Sequence, residues 1–249
     1  MTKKINNIMS MIIDNREQVL NMMENDFNKH SNCVYLVQCL CRKKDGHEND
    51  HVPVFQHTID NFDKAERVLN RAVQIAEEKN ARVYIAISPK DKNACLLKLA
   101  QEAINLNVNN CIGKRSLEGV LYSVIAKCGI SPHTRVLFDF DIPYNSDDAN
   151  EIIKCFNMIN MSFRKGYFGD YVITETPNGF HIIMDDYKYV CDEIIDNYLS
   201  EKAKMLILQN YATNNHKNYD DIKDMNFKQA FANIIHRESA GTLVYYKKM

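Results

Sequence analysis

Two aspartates two residues apart, Asp139 and Asp141 in RVLFDFDIP (135–143), are the residues whose types and spacing point most directly to chemistry. In an extended chain side chains at i and i+2 share a face, so the two carboxylates stand side by side while Phe138 and Phe140 face the other way. Carboxylates that close repel, and the pair is costly unless something positive lies between them. A divalent cation held by oxygen ligands supplies that charge. The competing structural reading is a strand end whose aspartates cap a turn, with Pro143 and NSDD (145–148) providing the turn chemistry.

Some forty residues on, TPNGFHII (176–183) places His181 at the start of an otherwise apolar run, just after the turn-forming Pro177, Asn178 and Gly179. A lone histidine on an apolar strand is commonly a satisfied core residue. Two aspartates on one strand and a histidine at a hairpin entry, with one helix between them, are more specific together than apart.

These residues need a scaffold, and the hydrophobic spacing provides one. Helical periodicity is expected over 8–29, 61–80, 92–106, 116–128, 147–161, 191–209 and 226–233. Strands are expected at 33–43, 81–88 and 135–142, in a hairpin on either side of PNG, and in the final GTLVYYKK. RKKDGHENDH (42–51) reads as an exposed loop. The fold class is α+β: an N-terminal α/β region, 1–130, packed against a strand-rich module, 131–249, with a seam near residue 130, where Gly129 and Pro132 break the chain.

Composition excludes several classes. With 31 Lys and Arg against 32 Asp and Glu, the chain has no global basic field that would announce nucleic acid, although a local patch remains compatible. Its eight cysteines include no CxxC pair, which argues against a zinc ribbon; without a signal peptide they read as reduced, mostly buried thiols. No apolar run approaches the roughly 18 residues of a membrane span, so the expectation is a soluble, cytoplasmic protein.

The order hydrophobic run, Asp, hydrophobic, Asp on one strand (VLFDFDI), then a crossover helix, then strand, turn and His-bearing strand (YVITETPNGFHII), resembles the archaeo-eukaryotic primase superfamily, the primase-polymerases. The match is clear over 135–184 and weaker at ARVYIAIS followed by PKDK. The resemblance implies an RRM-like antiparallel catalytic sheet, Mg2+ or Mn2+ held by Asp139 and Asp141, and His181 on the phosphates of an incoming nucleotide. It further implies nucleoside triphosphates, a single-stranded DNA template and a replicative helicase as partners, and no membrane. The family's third acid has no unambiguous counterpart; Asp185, Asp186 and Glu238 are the options, with Glu238 preferred as a third metal ligand because it precedes a strand.

Among the basic residues, Arg82 and Lys90 are the expected nucleotide-binding pair. Arg82 opens a strand expected to be central, where a charge is costly without a partner. Most other Lys and Arg read as solvated surface. Two rival readings stand beside the primase one. A haloacid-dehalogenase-type phosphatase also opens on a DxD strand, but Ile142 and Pro143 replace its usual Gly-Thr continuation. A phage-like protein with a primase-type fold and a degraded site would bind nucleic acid without catalysis.

Overall fold

The computed structural model describes residues 11–108, 116–163, 171–185, 198–215, 220, 227, 231, 235–237 and 241–248. It is an α+β protein built on two antiparallel sheets. The elements run β1 (Ile12–Asp14), α1 (Arg16–Lys29), β2 (Cys33–Cys41), β3 (Val52–Ile59), α2 (Ala65–Lys79), β4 (Arg82–Ala86), β5 (Lys90–Asp91), α3 (Lys92–Val108) and α4 (Leu117–Lys127). There follow β6 (Arg135–Phe140), α5 (Asp147–Phe163), β7 (Val172–Glu175), β8 (Phe180–Asp185), α6 (Glu201–Asn214), β9 (Ile235–Arg237) and β10 (Gly241–Lys247).

The first sheet has the order β1-β10-β4-β2-β3, with β5 also paired to β2, and the second β7-β8-β6-β9. The final strand β10 pairs with both β1 and β4, so the chain returns to its N-terminal sheet and crosses the seam expected near residue 130. β3 has no counterpart among the expected elements; it forms the edge of the sheet, where Pro53 is tolerated because no second neighbour needs its N–H.

Alternation along β6 and β8 sorts their side chains into two layers. Val136, Phe138 and Phe140, with Phe180, Ile182 and Met184, bury against Ile152 and Phe156 of α5 and Leu206 and Ile207 of α6. On the other face Leu137 and Ile183 join the core of the first sheet, beside Val37, Ile85 and Val244 and under Met22 and Met23 of α1. Asn15, 4% exposed, staples the two sheets: its Nδ2 donates to the carbonyls of Glu175 and Leu243, and its Oδ1 accepts from the Glu175 N–H, each at 2.9 Å. The six described cysteines are free and buried. Among the described residues no helix is long and apolar enough to cross a membrane.

Candidate active site

Three rows of side chains cross the face of the second sheet that looks toward the first. Antiparallel register pairs Arg135 with Asp185, Leu137 with Ile183 and Val172, and Asp139 with His181 and Thr174. An apolar row thus separates a buried ionic row from the row that carries the sequence motif.

In the motif row, His181 Nε2 lies 3.4 Å from Asp139 Oδ1. The side chain of Asp139 is 40% exposed and that of His181 12%, so the pair opens to solvent at the carboxylate. The other ring nitrogen, Nδ1, is 3.1 Å from Thr242 Oγ1 of β10, which in turn is 2.7 Å from Thr174 Oγ1. Both hydroxyls are fully buried. Thr242 therefore holds the imidazole from the first sheet while Asp139 meets it from the second. Nothing in the chemistry-bearing motifs pointed to Thr242 or Thr174; the available signal was a single threonine at the start of the otherwise apolar and aromatic strand GTLVYY.

Asp141 departs from the expectation that both acids share the strand. β6 ends at Phe140, and the exposed Asp141 follows it. Its N–H leaves the ladder and donates to Asn210 Oδ1 of α6 at 3.1 Å. The hairpin turn presses on the same backbone: a Cβ on Gly179 would sit 1.9 Å from the Phe140 carbonyl oxygen and 2.7 Å from the Ile142 nitrogen.

The third acid is not found in this row among the described residues. Asp185 lies two rows away, about 13 Å along β8. Its Oδ1 is 2.6 Å from His133 Nε2 and 3.7 Å from Arg135 Nε, so it serves the ionic row. There Asp26 of α1 accepts two 2.7 Å bonds from Arg135 and a bond from Tyr35, and lies 2.8 Å from His133 Nδ1. Burial pushes the Asp26 carboxyl up, but the His133 and Arg135 hydrogen bonds outweigh it and hold it at about 2. Asp186 and Glu238 lie outside the described residues. The described part of β9 runs from Ile235, opposite Phe138, to Arg237, opposite Val136, and so heads away from Asp139. Glu175 pairs with Phe180 and by alternation belongs to the other face; burial raises its carboxyl.

Arg82 and Lys90 are not brought to this row. Arg82 pairs across with Leu40, on the face of the first sheet opposite Val83 and Ile85. Its guanidinium meets both oxygens of Asp45 at 2.6 Å and lies 4.2 Å above the Tyr246 ring, with both members of the ion pair nearly fully buried. The charge on a central strand is thus answered by an internal partner. Lys90, 6% exposed, lines a small cavity of about 80 Å3 with Leu36, Gln38, Tyr84, Ile125 and Gly241, on the α4 side of the sheet. Of the basic loop, Lys44 is within electrostatic reach of Asp141: burial, then Arg82 and Arg42, push its ammonium down, while Asp45 and Asp141 oppose them.

Among the described residues no group of three or more His, Cys, Asp or Glu side chains is placed to hold a metal by itself. Asp139, 40% exposed, and Asp141, exposed just past the end of β6, are hard carboxylates of the kind Mg2+ or Mn2+ take, because such ions commonly use one or two protein carboxylates and complete their shell with water and substrate phosphates. In comparisons with protein families, curated proteins and solved structures, no match to this chain is found.

Proposed function

We propose that this chain is a nucleotidyltransferase of the primase-polymerase type, acting on nucleoside triphosphates over a single-stranded DNA template with Mg2+ or Mn2+. The observation that carries the reading is the Asp139–His181 cross-strand pair, 3.4 Å apart, with the exposed Asp141 following one residue past the end of the strand. The RRM-like description of the second sheet belongs to the same reading. A bound divalent ion would supply activation of the 3′-hydroxyl and neutralise phosphate charge. Asp139 and Asp141 would hold it. One placement of the hydroxyl protons suits the role of His181: Thr174 donates to Thr242, Thr242 donates to Nδ1, and Nε2 carries the ring proton, on the side where Asp139 lies 3.4 Å away and a phosphate oxygen would approach. Thr242 then fixes the tautomer as well as the ring direction.

The test is primer synthesis with labelled nucleotides on single-stranded DNA, in Mn2+ and in Mg2+, comparing wild type with Asp139→Asn. Labelled product from the wild type that disappears in the variant supports the assignment. Product of equal yield from Asp139→Asn overturns it. A second reading, a primase-type fold that binds nucleic acid without catalysis, is favoured by the absence of a third acid from the motif row among the described residues. Single-strand binding without product in either metal would select it.

A further inference from the structure

Phe140 and Phe180 make the last rung between β6 and β8, and one residue later the Asp141 N–H is taken by a side chain, Asn210 Oδ1. That bond fixes the amide's orientation: the oxygen must face the N–H, so Nδ2 is turned elsewhere. Asn210 is 5% exposed, and its Nδ2 is buried with no hydrogen-bond partner among the described residues. An orphaned buried donor is a standing cost that a leucine of similar size would not carry. Around it α6 is apolar where it meets the sheet, through Ala203, Leu206 and Ile207. Core packing therefore does not account for an asparagine here, whereas the Asp141 N–H does. From the other side Gly179 lies against Phe140 and Ile142. The peptide that carries Asp141 is clamped between an α6 side chain and the hairpin turn.

We propose that Asn210 is a positioning residue of the acid site: its Oδ1 sets the backbone at Asp141, and so the separation of the Asp139 and Asp141 carboxylates that hold a divalent ion. This rests on the reading of those two residues as an ion-binding pair. Asn210 touches neither ion nor substrate and acts through Asp141 alone.

The experiment is Mn2+ titration of the full chain, followed by the paramagnetic resonance of the free ion, for wild type, Asn210→Ala, Asn210→Leu, Asp141→Asn and the double variant Asp141→Asn/Asn210→Ala. Each is also melted in chelator to show that it folds; Asn210→Leu refills the volume and carries the test if the alanine variant is unstable. Residues that orient metal ligands typically change affinity by about 10–100-fold, so a loss of at least about tenfold is expected in both single Asn210 variants, with Asn210→Leu melting no lower than wild type. In the Asp141→Asn background, Asn210→Ala should change affinity by less than about twofold, because its effect passes through Asp141. Unchanged affinity in the Asn210 variants, with a loss in Asp141→Asn, overturns the positioning role and leaves the acid pair standing. An additive loss in the double variant also overturns it. A wild type that binds no Mn2+ overturns the acid pair itself, and this proposal with it.

Discussion

Gly179 lies so close to Phe140 that a β-carbon on the glycine would stand 1.9 Å from the Phe140 carbonyl oxygen. No side chain fits there, because the obstacle is backbone at the end of a buried strand. The turn is otherwise well held, with the Thr176 N–H donating to the Gly179 carbonyl at 2.8 Å and the Gly179 N–H to Thr176 Oγ1 at 3.0 Å. Gly179→Ala must therefore push the turn away from Asp141 and with it the start of the strand that bears His181. The expected cost is about 1–3 kcal/mol, as for other overpacking substitutions, read as a lower denaturant midpoint, together with weakened Mn2+ binding. Gly129→Ala, where a β-carbon would meet nothing within 4 Å, is the control and should change neither.

The acid pair makes a separate prediction about charge. Asp141 is exposed and its side chain lies outside the ladder, so Asp141→Asn keeps the backbone bond to Asn210 and deletes one negative charge beside Asp139. In chelator its melting temperature should equal or slightly exceed that of the wild type, since like-charge repulsion is removed. Mn2+ should then raise the melting temperature of the wild type and not of the variant, because a ligand bound only to the folded state stabilises by mass action. A clear loss of stability in chelator, with the Mn2+ shift retained, would instead mark Asp141 as a turn residue.

The sequence made the motif row legible for a physical reason: period-two alternation is local, so RVLFDFD shows which side chains share a face before any partner strand is known. What it hid was non-local. Asp141 lies past the last rung, Phe140 with Phe180, and its N–H is taken by Asn210, 69 residues away. Arg82 looked functional because a charge on a central strand demands a partner; the demand is met by Asp45, which sits in the basic loop read only as exposed surface. β3 was obscured by Pro53 and by the exposed Val52 and Val54, which break the alternation a half-buried strand would show. β10 joins the first sheet by pairing across more than 150 residues, a connection that a linear division of the chain at residue 130 necessarily cuts.

The two threonines under His181 allow stability and function to be separated. Thr242→Val removes the partner of a fully buried Thr174 hydroxyl and should cost about 1–3 kcal/mol, the penalty of an unmet buried donor. Replacing both by valine removes the unmet group as well and should recover most of that stability. Neither variant restores the contact to His181 Nδ1, so primer synthesis should stay low in both. Recovery of activity along with stability in the double variant would show that Thr242 does not orient the imidazole.

The ionic row predicts how stability depends on pH. His133 presents Nδ1 to Asp26 Oδ1 at 2.8 Å and Nε2 to Asp185 Oδ1 at 2.6 Å, and only an imidazolium can donate from both nitrogens. The Asp185 bond, then the Asp26 bond, raise its pKa above 6.5, against burial and the Arg135 charge; the His30 ring lies 5.8 Å away, centroid to centroid. A raised folded-state pKa means that the charged form stabilises the fold. This contribution is fully present below about pH 6.5, the ordinary histidine value, and is lost as pH rises through the folded-state pKa. Asp26 has the opposite sign. Held at about 2 instead of 3.8, it contributes on the order of 2 kcal/mol above pH 4, and that contribution fades as pH falls toward 2. Denaturant unfolding at steps from pH 3 to pH 9 should therefore show a plateau between about 4 and 6.5 with a fall on either side. His133→Gln, which has no proton to lose in this range, should flatten the alkaline fall and leave the acid one. If wild type and His133→Gln fall with the same slope between pH 6.5 and 9, the two carboxylates do not hold His133 as an imidazolium.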